Sequence, residues 1–190
     1  MRASTRRKTS AICAIALLSA LVSCATPAPP PEPSPTATTA APVFATDADA
    51  LAAATETYAA FSNASDDIFN DGGTDAGRIT PVTSAEYSAA LLKELDDIRA
   101  QGRRSIGRSN FDGVTLQQVD ESALGGMNVL SVYLCADISA TDVVDATGIS
   151  VITGPRPSRT PFLVTFDWKN KEHNALVVSS QSVWNGDGVC

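Results

Sequence analysis

The chain has 190 residues, a net charge of −7 and a pI near 4.6. This acidity argues against a nucleic-acid-binding protein, because such proteins need a basic surface. With 44% apolar and 18% charged residues, the composition also argues against a chain that is disordered throughout. The length fits one ordinary domain with some sequence to spare.

The first 23 residues have the pattern of a secretory signal. Four basic residues lie within the first eight positions, and the first acidic residue is Glu32. The apolar run that follows, residues 11–23, is too short to cross a membrane as a helix, which takes about 20 residues. The pattern therefore favours export over a transmembrane anchor.

The end of this segment resembles the lipobox of bacterial lipoproteins. Leu21, Val22 and Ser23 match its aliphatic, tolerant and small positions, and Cys24 matches its cysteine. The resemblance implies cleavage after residue 23, a diacylglyceryl anchor on Cys24, and a protein held on the outer face of the cytoplasmic membrane. A plain secretory signal with a cysteine nearby is the alternative. Cleavage would remove four positive charges and take the net charge from −7 to −11.

Residues 24–42 are predicted to form a disordered, lipid-anchored tether. Seven of the eighteen residues after Cys24 are proline. Proline-rich chains favour the extended polyproline II conformation, at about 3.1 Å per residue. We expect the tether to hold the domain clear of the envelope, and a proline-rich ligand for a partner domain is the alternative.

Residues 43–190 are expected to form a single α+β domain that begins with helices. Thr46 is predicted to cap a first helix, and a second, short helix is predicted over residues 66–69. The segment 83–86, Thr-Ser-Ala-Glu, has the pattern of a capping box with Thr83 as the N-cap of a third helix. We expect Gly102 to end that helix. Its apolar stripe is Tyr87, Leu91, Leu95 and Ile98.

After Gly102 the pattern changes to that of β-strands. Runs of β-branched and aromatic residues predict strands over residues 114–119, 128–138, 149–153, 161–168 and 174–183. Hairpin-type connections are predicted at residues 145–148 and 169–172. Helices followed by antiparallel strands favour an α+β fold in which the helices pack on one face of a curved sheet.

This order of elements resembles the nuclear-transport-factor-2-like superfamily, whose domains are cone-shaped α+β folds. The matching features are the long first helix, the break at Gly72-Gly73, the start of the third helix at residues 82–87 and the strand-turn unit 133–139. The chain also resembles uncharacterised lipoproteins of high-GC Gram-positive bacteria. In enzymes of the superfamily, an apolar pocket holds a carboxylate base opposite a tyrosine or a protonated acid.

The four cysteines divide into two groups. Cys13 lies in the predicted signal and Cys24 is the predicted lipid site, so Cys135 and Cys190 remain. An exported domain meets oxidising conditions, and the remaining pair therefore predicts one disulfide. The alternatives are a catalytic thiol and two free, buried cysteines.

No catalytic signature stands out. His173 is the single histidine, in a predicted turn, which is too little for a histidine-based metal site or a catalytic triad. Asp67, Asp71 and Asp75 do not form a calcium loop, because Phe69 stands where an oxygen ligand is needed. We expect no metal and no cofactor.

We interpret the chain as a lipid-anchored protein of the cell envelope, with a domain that binds a small ligand or a protein. The alternatives are a small cone-fold enzyme of the isomerase or dehydratase type, and a structural partner of another envelope protein. Asp137 would be the acid of such an enzyme, although a strand-end aspartate is the preferred interpretation. The residues expected to line a pocket are Tyr58, Phe61, Tyr87, Tyr133, Asp137 and Trp168.

Overall fold

The computed structural model describes residues 43–120 and 122–190. The predicted signal peptide, lipidation site and tether lie outside these residues. Helix α1 spans Asp47–Asn70 and helix α2 spans Ala85–Ala100, with a 3-10 helix, Ala76–Val82, between them. Within the described ranges, no helix has both the length and the apolar character needed to span a bilayer.

Helix α1 is longer than the sequence pattern predicts. Thr46 caps it as expected, since its hydroxyl accepts a hydrogen bond from the Asp49 amide at 3.1 Å. The prediction of a separate helix over residues 66–69 is wrong, because α1 continues without a break to Asn70. Burial explains the continuity: Ile68 is fully buried two turns after Phe61, which extends the apolar face through a polar stretch.

Helix α2 begins one residue later than predicted. The N-cap is Ser84, whose hydroxyl accepts from the Tyr87 amide at 3.3 Å, so the predicted capping box centred on Thr83 is wrong. Thr83 is buried and extended instead, and it forms a parallel bridge with Val178. Its hydroxyl contacts the Ser88 hydroxyl at 2.6 Å. Pairing with the sheet therefore takes Thr83 away from the cap position.

Six strands follow the helices. They are β1 (Arg104–Ile106), β2 (Asn110–Val119), β3 (Leu130–Asp137), β4 (Asp142–Val144), β5 (Arg159–Trp168) and β6 (Leu176–Val183). Strands β2, β3, β5 and β6 form one antiparallel sheet in the order β2-β3-β5-β6, and β1 pairs with β4 in a second, small sheet. The two register shifts in β2 are the kind of irregularity that bends a strand.

The predicted strand over residues 149–153 is wrong. Strand β4 precedes the turn at 145–148, and beyond that turn Ser150 alone forms an isolated bridge, to Val144. The Asp145 carboxylate holds the turn by accepting hydrogen bonds from the Thr147 and Ile149 amides. The hydrogen bond from the Thr147 hydroxyl is the largest cause of the lowered pKa of Asp145, and the two amide bonds lower this pKa further. Ile149 is 66% exposed, so burial of its side chain does not stabilise a longer strand after the turn.

Alternate residues of the central strands face the helices and form the core. Leu130, Val132 and Leu134 of β3 and Val164 and Phe166 of β5 are almost fully buried there, together with residues of α1 and α2. The predicted α+β fold, with helices packed on an antiparallel sheet, is therefore confirmed.

The other face of the sheet carries the C-terminal segment. Cys190 forms the predicted disulfide with Cys135, which is fully buried in β3, and the two Cα atoms are 5.1 Å apart. Trp184 packs against Tyr133 with ring centroids 4.7 Å apart. Because Tyr133 and Cys135 alternate with the helix-facing residues of β3, the chain after β6 lies on the side of the sheet away from the helices.

Candidate functional site: a cavity between the helices and the sheet

A cavity of about 390 Å³ lies where α1 and α2 cross the sheet. Helix residues form one wall, β3, β5 and β6 contribute the floor, and the segments around β1 and β4 complete the rim. The lining residues used below are Tyr58, Phe61, Ser62, Ser65, Asp66, Tyr87, Glu94, Ser109, Ile138, Thr141, Arg156, Phe162 and Gln181.

Aromatic side chains form the helix wall of this cavity. Tyr58 and Phe61 lie one turn apart on α1 with ring centroids 5.7 Å apart, and Phe61 lies 5.9 Å from Tyr87 of α2. Phe111 of β2 packs edge-on against Tyr58 at 4.8 Å. Tyr58 and Phe61 are only 5% and 6% exposed, so their positions are set by packing. The wall is therefore mainly aromatic, and packing holds Tyr58 and Phe61 in place.

The two phenol groups of the wall stay protonated at neutral pH. Burial, and secondarily the Glu94 carboxylate, raises the pKa of Tyr87 to about 12. The pKa of Tyr58 is raised as well, first by burial and then by its neighbours Tyr87 and Asp66. The neutral Tyr58 hydroxyl donates to the Gln181 side-chain oxygen at 3.3 Å. Tyr58 thus links α1 to β6 across the cavity.

Asp66 places a carboxylate at the rim of the cavity, and this carboxylate already accepts hydrogen bonds from other residues of the domain. The backbone amide and the hydroxyl of Ser109 each donate to Asp66, both at 2.9 Å. Ser62, one turn earlier on α1, lies 3.2 Å from the same hydroxyl. This network ties α1 to the segment that leads into β2, which makes Asp66 a structural group.

Arg156 brings a positive charge to the same cavity. Its Nη2 group donates to the Thr141 carbonyl, to the Thr141 hydroxyl at 3.2 Å and to the Ile138 carbonyl at 3.4 Å. All three acceptors are uncharged and lie in the loop between β3 and β4. The side chain is half-buried.

The structure brings together three of the six predicted pocket residues, Tyr58, Phe61 and Tyr87. Tyr133 and Asp137 lie on the opposite face of the sheet. There Asp137 pairs with Arg159 at 3.1 Å, and its pKa is lowered, chiefly by a hydrogen bond from Ser139. A half-buried carboxylate that is paired with an arginine outside the cavity is not the base of an apolar pocket.

Trp168 lies at the far end of β5, outside the cavity. Its ring stacks with Phe44 at 5.3 Å and with His173 at 5.3 Å. These rings border a second and larger cavity, of about 510 Å³, beside the start of α1. His173 is exposed in its turn, in the left-handed region at a φ of 51°.

The acidic residues near the glycine-rich loop are paired with arginine. Asp71 lies 2.6 Å from Arg78, and Asp67 lies 2.6 Å from Arg108. Across the described residues, no group of three or more histidine, cysteine or acidic side chains is placed to hold a metal ion.

Sequence reasoning missed the polar residues of the cavity, among them Asp66, Ser109, Arg156 and Gln181. These four come from four separate parts of the chain, so no local spacing connects them. One signal was present, because Arg156 stands between Pro155 and Pro157. A proline disfavours helical backbone angles in the residue before it, so Pro157 favours an extended conformation at Arg156.

The sequence and the fold can both be compared with those of known proteins. No protein-family model matches the chain, and no curated protein sequence does. Similar solved structures include the intermembrane space region of the chloroplast protein ARC6, with a TM-score of 0.51 and 11% identity over 68% of this chain and 92% of that one.

Two more distant structures cover similar shares of the chain. One is a protein of Catenulispora acidiphila, with a TM-score of 0.44 and 16% identity over 72% of this chain and 91% of that one. The other is the beta subunit of benzoate 1,2-dioxygenase from Burkholderia mallei, with a TM-score of 0.36 and 13% identity over 73% and 89%. At these identities, the likeness concerns the fold alone, which is an α+β domain with helices on an antiparallel sheet.

Proposed function

We propose that the domain binds a small, largely apolar molecule in the cavity between α1, α2 and the sheet. The observation that carries the proposal is the aromatic wall of Tyr58, Phe61 and Tyr87 beside about 390 Å³ of unfilled space. Ligand sites in proteins have volumes of roughly 300–1,000 Å³ and apolar linings with a few polar groups. The sequence resemblance to cone-shaped domains supports the same site, since the cone encloses its pocket between helices and sheet.

A bulky side chain at Ser65 should block this site. Ser65 lies on α1, lines the cavity and is half-buried. In the mature chain, residues 24–190 with Cys24→Ser to keep it in solution, we expect Ser65→Trp to weaken binding of the neutral fluorophore N-phenyl-1-naphthylamine at least about tenfold, which corresponds to about 1.4 kcal/mol. Fluorescence titration measures the affinity.

The matched control is Asn63→Trp. Asn63 lies on the same helix two residues earlier, is exposed and does not line the cavity. We expect it to leave the affinity unchanged. Equal losses in both variants, or no saturable binding by the unsubstituted mature chain, would contradict the proposal.

The proposal also places the domain at the outer surface of the cytoplasmic membrane. Its support is the lipobox-like segment that ends at Cys24. Two acyl chains give stable anchoring, whereas one gives marginal, reversible binding. The proline-rich tether, at about 3.1 Å per residue, would let the cavity meet ligands at some distance from the lipid surface.

Replacing Cys24 should abolish lipid attachment. In cells fed an alkyne-labelled fatty acid, we expect Cys24→Ser to remove the label from the protein completely, because serine has no thiol for the thioether linkage. Cys13→Ser is the matched control and should keep the label, since Cys13 lies inside the predicted signal. Persistent labelling of the Cys24 variant would show that Cys24 is not the lipid site.

A further inference from the structure

We infer that the molecule bound in the cavity carries an acidic group and that Arg156 binds this group. The inference rests on the proposed function, since it concerns the ligand of the same cavity. It identifies the ligand class as a small aromatic or aliphatic acid, with a carboxylate or sulfonate at one end and an apolar body at the other.

The first support is that Arg156 has no acidic partner. Arg78, Arg99, Arg108 and Arg159 each lie 2.6–3.1 Å from a carboxylate. Within the described ranges, Arg103 and Arg104 have no such partner either, but both are exposed to solvent, whereas Arg156 is half-buried. No carboxylate of the described residues lies within 4.0 Å of Arg156, although the sequence contains 21 acidic residues and only 14 basic ones. A shortage of acids therefore does not explain the unpaired charge.

The second support is the geometry of the guanidinium group. Its Nη2 is held by the Thr141 and Ile138 oxygens, whereas Nε and Nη1 have no acceptor within the described part of the chain. A guanidinium offers five N–H donors in a fixed plane that matches carboxylate and similar anions. The loop between β3 and β4 thus orients Arg156 and leaves donors available.

The third support is burial. Arg156 is half-buried and lines the cavity. A charge withdrawn from water is costly unless a counter-charge or hydrogen bonds compensate for it. The neutral oxygens around Nη2 compensate in part, and an anion bound from the cavity would supply the remaining contacts.

The acidic side chains of the cavity are compatible with this assignment. Asp66 already accepts the amide and hydroxyl of Ser109. Glu94 is exposed on α2, beside Tyr87. The ligand would therefore place its acidic end at Arg156 and its apolar body against the aromatic wall, where Phe61 and Tyr87 lie.

Two fluorophores with one skeleton test the inference. N-phenyl-1-naphthylamine is neutral, and 8-anilinonaphthalene-1-sulfonate is the same skeleton with a sulfonate added. In the mature chain with Cys24→Ser, we expect Arg156→Gln to weaken sulfonate binding roughly five- to tenfold, since the substitution removes charge-assisted hydrogen bonds that solvent screens in part. Binding of the neutral probe should change less than about twofold by comparison.

Two further variants keep the test specific. Arg103→Gln removes the same charge from an exposed site outside the cavity and should leave both affinities unchanged. Glu94→Gln leaves Arg156 intact and should strengthen sulfonate binding modestly, because it removes a nearby negative charge. The melting temperature of each variant shows that it is folded.

The outcomes separate the two proposals. Selective loss of sulfonate binding in Arg156→Gln, with Arg103→Gln unchanged, supports the inference. Three results would overturn the inference: no sulfonate binding, an unselective loss in Arg156→Gln, or an equal loss in Arg103→Gln. If the mature chain with only Cys24→Ser still binds the neutral probe, the proposed function remains standing. Failure of the neutral probe to bind overturns the proposed function itself.

Discussion

Replacing Cys190 with serine is expected to lower the free energy of unfolding by about 4 kcal/mol. The Cys135–Cys190 disulfide closes a loop with a sequence separation of 55 residues. On the chain-entropy model, such a cross-link lowers the conformational entropy of the unfolded chain, and this raises the free energy of unfolding by about that amount. Domains of this size have total stabilities of roughly 5–15 kcal/mol, so the loss is a large share. Urea unfolding of the mature chain measures it.

Cys190 is the better of the two cysteines for this test. Cys190 is exposed, so serine there adds no buried polar group, whereas serine at the fully buried Cys135 would. The loss should also free the C-terminal segment, because Trp184 is held by Tyr133 and the disulfide. Carboxypeptidase should then remove the last residues faster.

A reductant provides the control for the disulfide. The unsubstituted chain under reducing conditions should match Cys190→Ser, and the variant should not respond to the reductant. Equal stability of the oxidised chain and the variant would show that the cross-link does not stabilise this domain.

Replacing Phe166 with alanine should cost about 3–5 kcal/mol, the range measured for buried phenylalanine in protein cores. Phe166 is the largest of the fully buried side chains. It lies in the middle of the sheet, opposite Leu130 of β3 and Val178 of β6, which are buried too. Truncation would leave a cavity that these neighbours fill only in part.

Phe162 is the matched control for this variant. It lies four residues earlier on the same face of β5, but it is half-buried and lines the ligand cavity. We expect Phe162→Ala to cost clearly less stability, because part of its surface already faces open space. Urea unfolding of both variants gives the comparison, and similar losses would mean that the core is not centred on Phe166.

Helices and strands with clear periodicity were predictable from the sequence. The cap at Thr46 and strands β2, β3, β5 and β6 were identified to within a few residues. Strands β1 and β4 were missed, since each has three residues and no periodicity can be read over such a length. The 3-10 helix was missed as well, and it contains Pro81.

The candidate site was predictable in one part only. Tyr58 and Phe61 share the apolar face of α1, and Tyr87 begins the stripe of α2, so helical spacing identified the aromatic wall. The polar part combines Asp66 of α1 and Gln181 of β6 with Ser109 and Arg156, which lie in connecting segments. Contacts such as that between Ser109 and Asp66 are long-range, and no local pattern records them.

The sequence by itself determined the four strands of the main sheet, the α+β class and the pairing of Cys135 with Cys190, because side-chain periodicity and cysteine number are properties of the chain. Only the tertiary structure decided which face of the sheet meets the helices. Strand alternation places Tyr133 and Asp137 on the face opposite the neighbouring Leu134. Because Tyr133 and Cys135 give that face apolar side chains as well, alternation leaves open which face the helices cover. The helices cover Leu130, Val132 and Leu134, since burying that apolar set contributes most, and Asp137 is thereby left outside the cavity that Arg156 enters.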